Sequence, residues 1–431
     1  MYELSPPAVY VHESVQADPR YRARVERVVA ATSNAPPVRV YRDDDLPGMI
    51  RDEGLLAGRV PMGTLEPIPD PALVFNTYRF DGRREERLAW LKEACGELSG
   101  DQLHLGLLGY GPFCWWTEKD LGKRICRPCW RVHFQNGCLH KCRYCGFGGV
   151  LVSMVNVEDY LDQFARLIER NGWQETFLLE DDADVLPLEP ELGCMGPIVE
   201  FFGTQPGRYL VLHTKSWNVD WMRDLRHNGN TILVWSLSGR TQADELEPVA
   251  GSMAQRLQAA RKAQEWGYTV RYKFKPIIPV RSWRQDAAEA VEMLFRMTRP
   301  DVISLCVYMW MDVHEMTRRI GREVLDPALL AAAEAAVEQM ADERVKPFPD
   351  DVRAEIYEHY FREIRRHDAD VPVSISTESP PMWRRLGGML GAEPGSYVCG
   401  CGPNSTPWRR TLPCNAFQAA AGGPVGGFEA M

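Results

Sequence analysis

The sequence predicts an α/β fold built around a parallel sheet, in the form of an open, partial (β/α)6 barrel. From about Arg131 to Tyr308, six short apolar runs alternate with helix-length amphipathic segments. That alternation makes a parallel sheet with right-handed crossovers. Six units are too few for a closed eight-stranded barrel of the usual kind.

The expected barrel strands are RVHF (131–134), ETFLLE (175–180), RYLVLHT (208–214), TILVWSLS (231–238), YTVRYKF (268–274) and DVISLCVY (301–308). Between them lie segments such as VEDYLDQFARLIERNG and MAQRLQAARKAQEWG, apolar at every third or fourth residue and ended by glycine, as at a helix stop. Residues 1–128 form a separate α/β extension, with AVYVHE, VRVYR and ALVFNTY as strands and helices near 19–31, 44–53 and 83–98. Residues 129–320 hold the barrel. Residues 321–431 form a helical, Cys-containing extension: helices near 326–342 and 349–368, the strand VPVSIS, a short helix near 380–391, and the tail SYVCGCGPNSTPWRRTLPCNAF.

Composition narrows the function. With 431 residues, 45% apolar and 25% charged, the chain is globular and can bury a large core. The formal charge of −9 disfavours broad contact with a phosphate backbone. No run reaches the roughly 20 apolar residues of a membrane span. The opening MYELSPPAVYVHESV lacks a signal core, so a cytoplasmic location is expected. In that setting the 12 cysteines read as metal ligands or redox groups before disulfides.

The most informative segment is Asn136-Gly-Cys138-Leu-His-Lys-Cys142-Arg-Tyr-Cys145-Gly. Three thiolates at this spacing can hold three irons of a [4Fe–4S] cluster and leave the fourth open. The triplet follows the first barrel strand, at the end where parallel α/β folds place their chemistry. A zinc site that recruits Cys126 and Cys129 is the alternative.

These residues resemble the radical S-adenosylmethionine (SAM) superfamily, whose CX3CX2C signature is matched by Cys138, Cys142 and Cys145. The resemblance implies that the open iron binds SAM and that its reductive cleavage gives a 5′-deoxyadenosyl radical. It also implies that Tyr144, just before the last cysteine, packs on the adenine. AVYVHESV, VNVEDYLDQF, IVEFFG, LVLHTKSWNVDWMRDLRHNGNT and VWSLS look like one branch, the spore photoproduct lyase-like proteins. By that likeness Lys215 meets the SAM carboxylate and Ser236 also touches SAM.

The chain departs from that branch where the lyase carries its hydrogen-donor cysteine. Here the stretch reads Leu179-Glu180-Asp181-Asp182-Ala183-Asp184, with Asp181 at or beside the thiol position. A carboxylate has no weak X–H bond to give to a carbon radical. Cys194, the nearest thiol in sequence, reads as a small buried hydrophobe. Glu180 is a candidate acceptor for the SAM ammonium. Asp181 and Asp182 are candidate catalytic residues, as ligands of a cationic or hydroxylated substrate or as a base with a raised pKa.

A second set of cysteines, Cys126, Cys129, Cys399, Cys401 and Cys414, is a candidate for an auxiliary iron–sulfur cluster, a zinc site or a catalytic thiol. Between Lys119 and Arg143 there are seven basic residues and one acid, a patch that could hold a phosphate, a nucleic acid or the acidic protein that delivers electrons, such as a reduced flavodoxin or ferredoxin.

The expectation is therefore a radical SAM enzyme of lyase or oxidoreductase type, acting on a small molecule of specialised metabolism. The first alternative is nucleic-acid lesion repair with a relocated hydrogen donor. The second is a non-catalytic iron–sulfur or zinc protein that binds nucleic acid.

Overall fold

A computed structural model describes residues 1–57, 62–96, 101–111, 113–117 and 124–412. Two sheets organise it. The first contains β1 (Val9–His12), β2 (Val38–Tyr41), β3 (Ala72–Asn76), β6 (Gln135–Asn136) and β7 (Val150–Met154), in the order β2-β1-β3-β7-β6. The second contains β4 (Cys114–Thr117), β5 (Cys129–Val132), β8 (Thr176–Leu179), β9 (Tyr209–Thr214), β10 (Thr231–Leu237), β11 (Thr269–Ile277), β12 (Ile303–Val307) and β13 (Val373–Ile375). Its order is β13-β12-β11-β10-β9-β8-β5-β4, parallel from β5 through β13, with β4 antiparallel at the edge.

All six expected barrel strands are present, and the expected VPVSIS strand extends the sheet as β13. Both faces of a parallel sheet are covered, so its strands read as near-continuous apolar runs; β12 (ISLCV) is buried at every position. The helix Val157–Arg170 shows how the crossovers hold on. Val157, Tyr160, Phe164, Leu167 and Ile168 are its buried residues, at helical spacing, and they form one apolar stripe. Arg24 buttresses its first turn through Glu158, at 2.8 Å.

The inner face of the second sheet is more polar. Leu178, Val211, Ile232 and Val234 line it, and Cys401 from the tail packs against them. Arg271, fully buried on β11, pairs with Asp301 at 2.6 Å and donates to the carbonyls of Gly400 and Ser405. Thr176 and Glu175 donate their backbone N–H groups to Pro403 O at 2.8 and 2.9 Å. The tail thus closes the end of the barrel where the strands begin.

One strand falls outside the expected division. Val150–Met154, inside the 129–320 segment, runs parallel to β3 in the first sheet, while β6 pairs antiparallel with β7. After β5 the chain therefore leaves the barrel sheet, forms β6 and β7 in the first sheet, and returns at the helix Val157–Arg170. No helix among the described residues is long and apolar enough to cross a membrane.

Candidate active site

The loop between β6 and β7 carries the cysteine triplet. It starts at Gly137, whose φ is +103°. A Cβ there would run into the Val150 carbonyl, so only glycine fits. Gly137 also bridges to Ala183 beyond β8, and Arg143 N–H donates to Leu246 O at 3.0 Å. These contacts fix the loop over the carboxyl ends of the barrel strands.

All three thiols are free. Burial raises the pKa of each, that of Cys145 to about 11. Lys215 Nζ lies 3.9 Å from Cys142 Sγ, and Phe147 N–H donates to Cys145 Sγ at 3.4 Å. Among the described residues, only His133, Asp181 and Asp182 bring three metal-ligand atoms within 4.8 Å of one another. The triplet is spread more widely than ligands of a single ion. Three soft thiol donors suit a [4Fe–4S] cluster, which separates its thiolates further than one tetrahedral ion does.

Beside the triplet lies a charged network. Lys215 Nζ sits 2.7 Å from Glu247 Oε1 and donates to the Tyr144 hydroxyl, which donates to the same oxygen at 2.5 Å. Arg256 holds Glu247 Oε2 at 2.5 Å, and Ser238 Oγ donates to Oε1 at 2.8 Å. Burial alone would raise the Glu247 pKa, but Lys215 and Arg256 hold it far below the carboxylate range. Two cations face one carboxylate here, and the surplus positive charge lies next to the thiols. Arg256 also donates to the Ser236 carbonyl at 3.0 Å, and Ser236 is half-buried on β10.

Asp184 fixes Lys215 in place. It accepts the Lys215 backbone N–H at 2.8 Å, the Thr214 hydroxyl at 2.9 Å and a contact from His140 Nε2 at 2.7 Å. Its burial would raise its pKa, but His140 and these hydrogen bonds lower it. Asp184 therefore clamps the end of β9 to the cysteine loop.

Glu180, at φ +62°, is also fully buried. Oε1 accepts the N–H groups of Phe134 and Gln135, and Oε2 lies 3.0 Å from His133 Nδ1. Both oxygens thus secure the segment after β5, and an ammonium group would compete with these bonds. Asp181 pairs with Arg131. Asp182 has a raised pKa, first from burial and then from Glu180, against the opposing pull of His133, Arg131 and Lys275. His133 Nε2, Asp181 Oδ1 and both side-chain polar atoms of Gln135 are buried without a hydrogen-bond partner in the structure. Buried polar groups are ordinarily hydrogen-bonded, so this cluster is a departure from the rule.

Glu247 and Arg256 escaped the sequence reading because each is a lone residue in no motif, and His140, inside the cysteine segment, was given no role there. Several described residues of the cationic run at 119–143 have partners within the chain. Arg131 points at Asp181, Lys141 pairs with Asp70 at 2.7 Å, Arg143 pairs with Glu66 at 2.5 Å, and Arg127 is buried. Lys119 and Lys123 lie outside the described residues, as does Cys414. Cys194 is fully buried beside Glu189, in keeping with a packing role.

Residues 127–325 match the family described as spore photoproduct lyase. Spore photoproduct lyase of Geobacillus sp. is 28% identical over 172 residues, 38% of this chain and 50% of that protein. The Bacillus subtilis enzyme is 26% identical over 170 residues, again 38% and 50%. The chain thus spans about half the length of the curated relatives it matches. Among solved structures, a tyrosine-to-phenylalanine variant of spore photoproduct lyase superposes with TM-score 0.61 at 17% identity, covering 88% of this chain and 100% of that one. The lyase complexed with dinucleoside spore photoproduct gives TM-score 0.58 at 17% identity, covering 87% and 99%. At this identity the likeness is one of fold.

Proposed function

Over residues 127–325 the chain is spore photoproduct lyase-like, in the radical SAM branch that carries this fold, and from that premise we propose that it is a radical SAM enzyme acting on a small polar molecule. The observation that carries the substrate class is the set of unpaired groups at His133, Gln135 and Asp181, beside a carboxylate, Asp182, of raised pKa. When bound, a [4Fe–4S] cluster and SAM supply a 5′-deoxyadenosyl radical that abstracts hydrogen.

This chain's residues do the rest. Cys138, Cys142 and Cys145 hold the cluster. Lys215 offers its ammonium to the SAM carboxylate while Glu247 and Arg256 keep it in place. Tyr144 and Ser236 complete the SAM pocket, Tyr144 against the adenine. Arg131 orients Asp181, Glu180 orients His133, and Asp182 accepts a proton or a hydroxyl contact from the substrate. A reduced flavodoxin or ferredoxin delivers the electron.

The test is anaerobic incubation of the cluster-loaded protein with dithionite and SAM. Formation of 5′-deoxyadenosine supports the radical assignment, and none, at full cluster loading, refutes it. The fold shared with a lyase solved with a dinucleoside lesion favours a second reading, nucleic-acid repair. Conversion of such a lesion to its two bases would establish it over the small-molecule reading. Against it stands Asp181 at or beside the position of the lyase's hydrogen-donor thiol, since a carboxylate has no weak X–H bond to give to a carbon radical.

A further inference from the structure

The floor of the barrel gathers four thiols that the radical site does not use. Cys129 opens β5, and Cys126 lies three residues before it. Cys399 and Cys401 arrive from the tail. The tail is sewn into place: Gly400 N–H donates to Ser304 Oγ at 3.1 Å, Arg271 donates to Gly400 O at 3.3 Å and Ser405 O at 2.6 Å, and Arg127 donates to Tyr397 O while lying 4.7 Å over its ring. This anchorage sets Cys401 among Leu178, Val211, Ile232 and Val234. Cys129 lies two residues before Arg131, which is in register with Leu178, one of the residues that Cys401 packs against, and Cys399 adjoins Cys401 on the same anchored segment. All four are free thiols.

The charges around them point to an anion. Arg131 and Lys273 face the same space. Lys273 is 5% exposed, and its ammonium meets His213 Nε2 at 2.9 Å and Cys401 Sγ at 3.3 Å. No carboxylate among the described residues forms an ion pair with it. Lys273 thus places a basic side chain directly against Cys401 Sγ, a favourable neighbour for a metal-bound sulfur. No three of these sulfurs lie within 4.8 Å of one another, so they do not wrap one ion, and in this they match the Cys138 set.

We propose that Cys126, Cys129, Cys399 and Cys401 hold a second iron–sulfur cluster at the barrel floor, separate from the Cys138, Cys142 and Cys145 site. The experiment uses the full chain with Cys138, Cys142 and Cys145 all replaced by Ala, reconstituted with iron and sulfide under anaerobic conditions. It should keep about two to four irons per chain, with as much acid-labile sulfide, as one cluster requires. Adding Cys399→Ser and Cys401→Ser should abolish both. A folded triple variant with negligible iron overturns the proposal, and so does one that takes up zinc without sulfide. Should the triple variant not fold, the otherwise wild-type chain carrying Cys399→Ser and Cys401→Ser decides. Its iron should fall by about two to four per chain, to the roughly four of the remaining cluster, and an unchanged count overturns the proposal.

Discussion

Replacing Glu247 by Gln should be among the most damaging single changes near the active site. The carboxylate is fully buried and holds two cations, Lys215 at 2.7 Å and Arg256 at 2.5 Å, both at least 88% buried in their side chains. Glutamine keeps the shape but leaves both cations without a counter-charge. Breaking a buried pair in this way costs about 3–5 kcal/mol. For a chain larger than 250 residues each kcal/mol moves Tm by about 2 °C or less, so a drop of roughly 6–10 °C is the upper expectation. The assay is thermal unfolding of the metal-free chain. A double variant, Glu247→Gln with Lys215→Met, should recover part of the loss, because it removes one of the stranded charges. The pH dependence has a definite sign. Glu247 is held below the ordinary carboxylate value of about 4.3, so its contribution is complete above that value and is lost as the pH falls through the depressed one. The gap between wild type and variant should therefore narrow below about pH 4. A Glu247→Gln chain that melts within 1 °C of wild type at pH 7 would refute the reasoning, as would a double variant less stable than the single one.

Three further outcomes follow from the same geometry. Lys215→Met should weaken SAM binding to the cluster-loaded protein by roughly 10- to 150-fold, the loss of one charge-assisted hydrogen bond of about 1.5–3 kcal/mol, as read by equilibrium dialysis; an unchanged Kd would remove Lys215 from the pocket. Asp182→Asn should lose substrate turnover while leaving SAM cleavage without substrate intact. Because the Asp182 pKa is raised, turnover that needs its carboxylate should rise with pH through a value above the usual 3.9 or so; a wild-type profile lacking that limb, or full activity in the variant, counts against a role as base. Arg271→Met should destabilise the chain by about 3–5 kcal/mol, since Asp301 is left buried without its counter-charge, holding only the Trp408 N–H, and two tail carbonyls lose their donor; limited proteolysis should then release the tail, and a resistant tail would show that other contacts hold it.

The barrel was legible in the sequence because buried parallel strands leave apolar runs and their crossovers leave helical stripes. The triplet was legible because metal chemistry fixes both residue type and spacing. Sheet membership was not: VLVSM reads as a buried strand in either sheet, and only the register with Ala72–Asn76 assigns it. Glu180, Asp181, Asp182 and Asp184 look alike as a run of acids. The structure separates them by partner: backbone N–H groups for Glu180, Arg131 for Asp181, and His140 with Thr214 for Asp184. The two cysteine pairs were each visible, but nothing in sequence says that residues near 128 and 400 meet. Glu247 and Arg256 act only through a fold that brings them to Lys215.

The cysteine loop hangs between two strands of one sheet while its lysine and acidic neighbours stand on the other. Its three sulfurs are thus spaced by one layer and addressed by a second, and no hinge can open between the layers without moving Lys215 away from Cys142. A stand-alone fragment cut at residue 129 would keep all three ligands yet lose β3, the strand that β7 leans on. A fragment meant to preserve the geometry of the cysteine loop should therefore keep the amino-terminal strands as well.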